Sequence, residues 1–100
     1  MAVFVISFRI GDKPNYSEIC ASVDKAVRSE ATGGTAFNET TSVYVIKSSK
    51  SAADLLSALY YGSDLLESRD GLIVVDLSSK DYASLGLKSK GRLDLLMADR

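Results

Sequence analysis

The sequence predicts an α+β domain in which two helices cover one face of a four-stranded antiparallel sheet. Segments with the composition and periodicity of strands occupy residues 1–10, 41–47 and 72–77. Segments with apolar residues at helical spacing lie between them, at residues 16–31 and after residue 51. Glycine, proline and serine turns separate these segments, so each is interpreted as one element.

The first predicted strand has two unlike faces. Strand side chains alternate between faces, which puts Phe4, Ile6, Phe8 and Ile10 on one face and Val3, Val5, Ser7 and Arg9 on the other. The first face is fully apolar, whereas the second becomes polar at its C-terminal end. A functional acid on this strand would be expected at that end, and Arg9 occupies the position.

The first helix is predicted over residues 16–31. Asn15 and Glu18 have the spacing of a capping box before it, and Gly33 and Gly34 end it, because glycine adopts the left-handed conformation without a Cβ penalty. Residues 35–38 then predict a short edge strand, joined by a tight hairpin to the strand at 41–47. That longer strand is apolar on both faces, which is typical of a strand inside a sheet.

The second helix is predicted to begin after Ser51, which pairs with Asp54 as a cap. Its apolar stripe extends to Leu66 and is interrupted at Gly62, so we expect a bent or separate last turn. Residues 72–77 form a buried strand, and residues 82–87 predict a short fifth strand or a tail. Asp70 and Asp81 are interpreted as solvated or capping turn residues.

The order strand, helix, strand, strand, helix, strand is that of the ferredoxin-like β-α-β-β-α-β sandwich. The 100 residues fit a single domain, with a core at about 2–78 and an appendage at about 79–100. Two helices on one face leave the other face of the sheet, with Val3 and Val5, exposed. Because monomers seldom expose so much apolar surface, we expect a homodimer through that face or through the last strand.

Composition excludes several function classes. The chain has no histidine and only one cysteine, Cys20, which excludes ordinary zinc sites and nucleophiles activated by histidine. A net charge of −1 gives no global attraction to nucleic acid, so any such role would depend on a local patch. No apolar run is long enough to cross a bilayer and no basic leader precedes the first strand, so we expect a cytoplasmic protein without membrane contact.

Three segments carry a resemblance to a known family. VFVISFRI, ETTSVYVIKSSKSAADLLSAL and DGLIVVDLS are similar to segments of the SinR-type small proteins. These are related to the CRISPR-associated ferredoxin-fold nucleases of spacer acquisition and to VapD-type toxins. The similarity covers about residues 2–78 and implies a bacterial or mobile-element setting.

The resemblance also implies where a metal site would lie. In the wider family the first strand ends in an aromatic residue and an aspartate, and paired aspartates across a dimer can hold a divalent metal. The matching dipeptide here is Phe8-Arg9, and a guanidinium repels a cation. We therefore expect no catalytic or metal-binding residue there. The alternative is a metal-dependent endonuclease in which Asp12 or Asp76 binds Mg or Mn. The competing interpretation of Asp76 is a carboxylate near the end of its strand that reaches water or Arg9.

A small basic patch is the remaining candidate site. If the fold brings them together, phosphate groups could be bound by Arg9, Lys13, Lys88, Lys90 and Arg92. Solvated loop charges are the competing explanation. The sequence therefore favours a non-catalytic dimeric protein without a cofactor, which contacts a partner protein or nucleic acid. The endonuclease is the first alternative, and a small-ligand regulatory module is the second.

Overall fold

The computed structural model describes residues 2–11, 15–38, 42–77 and 81–86. It shows an α+β fold with two helices and an open antiparallel sheet of five strands, in the order β2-β3-β1-β4-β5. The elements are β1 (Ala2–Arg9), α1 (Tyr16–Glu30), a 3-10 turn (Thr32–Gly34), β2 (Ala36–Phe37), β3 (Val43–Ser48), α2 (Ala52–Tyr61), β4 (Gly71–Asp76) and β5 (Tyr82–Leu85).

The core lies between the sheet and the two helices. It joins Phe4, Ile6 and Phe8 of β1 to the buried faces of both helices, as the alternation along β1 predicts. The helices contribute Ile19, Val23, Ala26, Val27, Ala52, Leu55 and Leu59. Residues on the opposite face of β1 do not belong to this cluster. Both helices therefore cover the same face of the sheet.

Helix α1 confirms most of the predicted segment. It ends at Glu30, where Ala31 adopts an extended conformation, so the prediction that Gly33 and Gly34 end the helix is wrong. The two glycines belong to the 3-10 turn that follows and have φ values of 75° and 73°, in the left-handed region that glycine favours. The predicted capping box is wrong, because the Asn15 side chain makes no capping hydrogen bond. The helix is instead held in place by its buried face.

Tyr44 of β3 links the sheet to the solvent side of α1. Its hydroxyl donates to Asp24 Oδ1 at 2.8 Å, and Arg28 Nε donates to the same carboxylate at 3.1 Å. Its ring stacks on Phe8 with 6.1 Å between centroids. Burial, followed by the hydrogen bond to Asp24, raises the pKa of Tyr44 to about 12. The residue is thus a structural aromatic group with a satisfied hydroxyl.

Helix α2 begins as predicted and ends earlier. Ser51 caps it by accepting from the backbone N–H of Asp54 at 3.2 Å. The helix stops at Tyr61, so the prediction that Leu66 continues its apolar stripe is wrong. Leu66 is 49% exposed, while Leu65 beside it is buried. Leu65, rather than Leu66, therefore packs in the core after the helix has ended.

Strand β5 extends the sheet beyond the four strands of the predicted core. It pairs antiparallel with β4, so β4 is interior and the two edges are β2 and β5. Asp81, directly before β5, accepts from the Ala52 N–H at 2.8 Å and so caps the first turn of α2. The sequence interpretation of Asp81 as a solvated or capping turn residue did not foresee this contact, because the helix that it caps is distant in sequence.

Candidate functional site

The candidate site lies on the face of the sheet opposite the helices, which we call the open face. Directly paired residues of antiparallel strands project to the same side. The register therefore places one row of side chains across all five strands, consisting of Phe37, Val45, Val5, Val75 and Tyr82. Every member of this row is an aliphatic or aromatic residue.

The neighbouring rows are mixed, and the charges lie at the ends of the face. On one side of the central row, Val43, Ser7, Ile73 and Ser84 pair across β3, β1, β4 and β5, so that aliphatic residues alternate with serines. Lys47 pairs with Val3 at one end of the sheet, and Arg9 lies at the other end. Among the paired residues that the structure describes, no carboxylate lies on this face. The open face is thus an apolar centre between two cations.

The open face is accessible to a partner. Phe37, on the edge strand β2, is 52% exposed, and the valines of β1 and β3 on this face are partly exposed. The strands contain eight, two, six, six and four residues. At about 4.8 Å between strands and about 3.3 Å per residue, the whole open face, with its polar positions included, spans roughly 400 Å². The apolar row forms the centre of this face, and contiguous apolar patches on single chains often mark binding surfaces.

A cavity of about 420 Å³ lies at the β2–β3 edge of the open face. The 3-10 turn closes one side of it. Its lining consists of Val3, Thr32, Thr35, Phe37, Val45, Ile46 and Lys47. The volume falls within the range of small-ligand sites, roughly 300 to 1,000 Å³. The cavity therefore joins an apolar wall to two hydroxyls and one ammonium group.

The polar side chains that line this cavity take no part in the side-chain contacts that the structure describes. Within the described ranges, the side chains of Lys47, Thr32 and Thr35 have no ion pair or hydrogen bond to another residue. Lys50, in contrast, pairs with Glu30 at 3.3 Å, and Arg28 pairs with Asp24. Lys47 is consequently a cation that a bound anion can reach without breaking an existing contact.

The end of β1 carries Arg9, the residue that stands where the resemblance implies an acid. Its Nη2 donates to the Gly86 carbonyl at 3.2 Å, just after β5. Arg9 remains exposed. The guanidinium thus connects β1 to the residue after the edge strand, across the intervening β4.

Asp70 lies beside this end of the sheet and is completely buried. Its carboxylate accepts from the Gly11 N–H at 2.8 Å, from the Leu66 N–H at 3.0 Å, and from Arg69 Nε at 2.9 Å. Burial raises its pKa, but the hydrogen bonds from Arg69, Leu66 and Gly11 outweigh burial and lower the pKa to about 2. Of the two interpretations offered by the sequence, the solvated residue is wrong because Asp70 is buried, while its bond from the Leu66 N–H does cap the local turn. The bond from the Gly11 N–H adds an anchor to a distant segment.

The structure places the other sequence candidates as follows. Asp76 pairs with Phe4, on the helix-covered face. Arg9 pairs with Gly71, about 17 Å further along the sheet at roughly 3.3 Å per residue, so Asp76 does not reach Arg9 as the competing interpretation suggested. Asp12, Lys13, Lys88, Lys90 and Arg92 lie outside the described residues.

The part of the chain that the structure describes shows neither a metal-ion cluster nor a membrane-spanning helix. In the ranges that the structure describes, no group of three or more His, Cys, Asp or Glu side chains could hold a metal ion. No helix among those residues is long and apolar enough to cross a membrane. Comparison of the chain with family models, with curated proteins and with solved structures gives no match.

Sequence reasoning identified Val3, Val5 and Arg9 but missed the cavity. In the sequence, Lys47 is the polar end of a predicted strand, Thr32 precedes the two glycines, and Thr35 begins the predicted edge strand. The only signal that connects them is the register that pairs Lys47 with Val3 and Phe37 with Val45. Register depends on the whole sheet, so a local pattern does not contain it.

Proposed function

We propose that this chain is a small, non-catalytic interaction protein of the ferredoxin-like class that binds a second copy of itself through the open face. The strand order β2-β3-β1-β4, with both helices on one side, supports this fold assignment. The observation that carries the functional proposal is the apolar row from Phe37 to Tyr82 across all five strands. Neither helix covers it.

A second copy suits this surface in shape and area. Twisted antiparallel sheets pack face to face at about 10 Å, and a two-fold axis brings the same apolar patch of each copy together. A face of about 400 Å² per copy gives a total of about 800 Å², which is below the roughly 1,200 Å² of stable interfaces and in the range of weak, transient complexes. We therefore expect a reversible dimer with a dissociation constant in the micromolar range.

The placement of the aromatic residues favours a protein over RNA on this face. Sheets that bind single-stranded RNA stack bases on aromatic side chains of the sheet surface. Here the central strands β1 and β3 carry Val5 and Val45, while the aromatic residues Phe37 and Tyr82 lie on the two edge strands. Valines pack well against another apolar surface and offer no stacking platform for a base.

Substitution on the open face should separate the dimer into monomers. We expect Phe37→Glu and Val5→Asp each to weaken self-association at least about tenfold, because each puts a carboxylate into the apolar contact and desolvating it costs more than about 1.4 kcal/mol. Light scattering and sedimentation equilibrium, from low to high micromolar concentration, measure the effect. Phe37 is half exposed, so its replacement leaves the core intact.

Ser57→Asp is the matched control for this test. Ser57 is exposed on α2, on the opposite side of the sheet, so the same added charge should leave the dimer unchanged. A wild-type protein that stays monomeric at high micromolar concentration contradicts the proposal. So does a dimer that neither open-face substitution weakens.

Incubation with labelled RNA and DNA tests the competing nuclease function. We expect no cleavage in the presence of Mg or Mn. Cleavage that Asp12→Ala or Asp76→Ala abolishes would replace our proposal with a metal-dependent endonuclease. A gel shift that weakens steeply with salt would assign a phosphate-binding role, and Arg9→Gln and Lys13→Gln would then be expected to weaken it.

A further inference from the structure

We propose that the cavity between β2, β3 and the 3-10 turn binds a small organic anion with an apolar body, such as a medium-chain or aromatic carboxylate. The inference goes beyond the proposed dimer. One chain supplies all of the lining, from β1, β3, β2 and the 3-10 turn, so the site does not depend on a second copy. It assigns a ligand class to the β2–β3 end of the open face, whose Phe37 and Val45 also belong to the apolar row of the proposed dimer.

The chemistry of the lining selects this class of ligand. Val3, Phe37 and Val45 form an apolar wall, which fits a hydrocarbon or aromatic body. Lys47 adds a positive charge, and none of the described residues that line the cavity carries a carboxylate. A cation beside an apolar cavity favours an anionic ligand over a neutral or cationic one.

The hydroxyls of Thr32 and Thr35 complete the site. Each can donate a hydrogen bond to an anion, and within the described ranges neither is engaged by another side chain. Thr32 begins the 3-10 turn and Thr35 directly follows it, and no atom lies within 4 Å of the Cβ position of Gly33 or Gly34 between them. The turn therefore contributes two hydroxyl side chains to the same lining as Lys47.

A matched pair of ligands tests the proposal. Octanoate and 1-octanol share the same apolar chain and differ in the charge of the head group. We expect both to shift the backbone amide signals of Phe37, Val45 and Lys47 in 1H-15N NMR titrations of the full chain. Octanoate should bind about fivefold more tightly, the size of a partly solvated ion pair.

Two substitutions separate the charge from the apolar wall. Lys47→Met should abolish the preference for octanoate and leave octanol binding unchanged. Phe37→Ala should weaken both ligands. Lys25→Met is the control, since Lys25 is an exposed lysine on α1, away from the cavity, and its loss should leave the fivefold preference intact.

Three results of these titrations would contradict the proposal. Equal affinities of wild-type protein for octanoate and octanol would overturn it, as would octanoate shifts that map to α2 or to the β5 edge. A Lys47→Met variant that keeps the preference would contradict the role of the ammonium group. Light scattering on the same samples reports the dimer separately, so loss of the dimer alone leaves this inference standing.

Discussion

Replacing Asp70 with asparagine should lower the free energy of unfolding by about 3 kcal/mol at neutral pH, because it removes one partner of a buried charge pair. The carboxylate accepts from two backbone N–H groups and from Arg69 on both oxygens. An asparagine amide has one acceptor oxygen, so its NH₂ group would face a donor. Arg69, whose side chain is only 15% exposed, would lose its partner. Urea unfolding followed by circular dichroism measures the change.

The same residue should give the protein a defined acid sensitivity. The folded-state pKa of Asp70 is lowered to about 2, below the value of 3.8 expected in the unfolded chain. Its stabilisation is therefore present above pH 4 and is lost as the pH falls towards 2, which amounts to about 2 kcal/mol by proton linkage. Asp70→Asn should remove this part of the pH dependence.

Asp54→Asn is the control for both measurements. Asp54 is exposed in the first turn of α2, and its side chain should contribute less than about 1 kcal/mol there. An Asp70→Asn protein that is as stable as this control at pH 7 would show that the buried carboxylate does not anchor the sheet end.

Alanine at Gly86 should destabilise the protein by about 3 kcal/mol, for two reasons that add. The residue has φ of 69°, which costs an L-residue about 1 to 2 kcal/mol. A Cβ there would overlap the backbone oxygen of Asp70 and lie 3.1 Å from Gly71 Cα. Both atoms belong to the backbone around the start of β4, so the clash is not relieved by rotating a side chain.

Gly34→Ala isolates the two contributions in the Gly86 experiment. Gly34 has φ of 73°, close to that of Gly86, but no atom lies within 4 Å of its Cβ position. We expect this variant to lose only about 1 to 2 kcal/mol, the conformational part. Thermal unfolding of the two variants gives the comparison directly, and equal losses would argue against a close approach of Gly86 to Asp70.

The elements that sequence reasoning predicted are those whose signals are local. Ser51 and Asp54 stand three residues apart and form the cap of α2. Helix α1 ends at Glu30, one residue before the predicted end at residue 31. The alternation along β1 correctly separates Phe4 from Val5. In each case the physical cause lies within one turn or one strand, so a window of a few residues contains it.

The sites that it missed depend on contacts between distant segments. Asp70 in Arg-Asp-Gly looks like a solvated turn residue, yet it accepts from the Gly11 N–H, 59 residues away. Arg9 donates to the Gly86 carbonyl, 77 residues away. No local pattern distinguishes a carboxylate that will meet buried N–H groups from one that will meet water. The cavity beside Lys47 was missed for the same reason.

The sequence by itself determined the α+β class, the position of both helices and the apolar and polar faces of β1, because propensity and periodicity act over a few residues. Only the tertiary structure decided the register of the five strands, the burial of Asp70 and the cavity that Lys47, Thr32 and Thr35 line together. Pairing between strands brings together residues far apart in the chain, and which residues meet is fixed by the packing of the whole sheet.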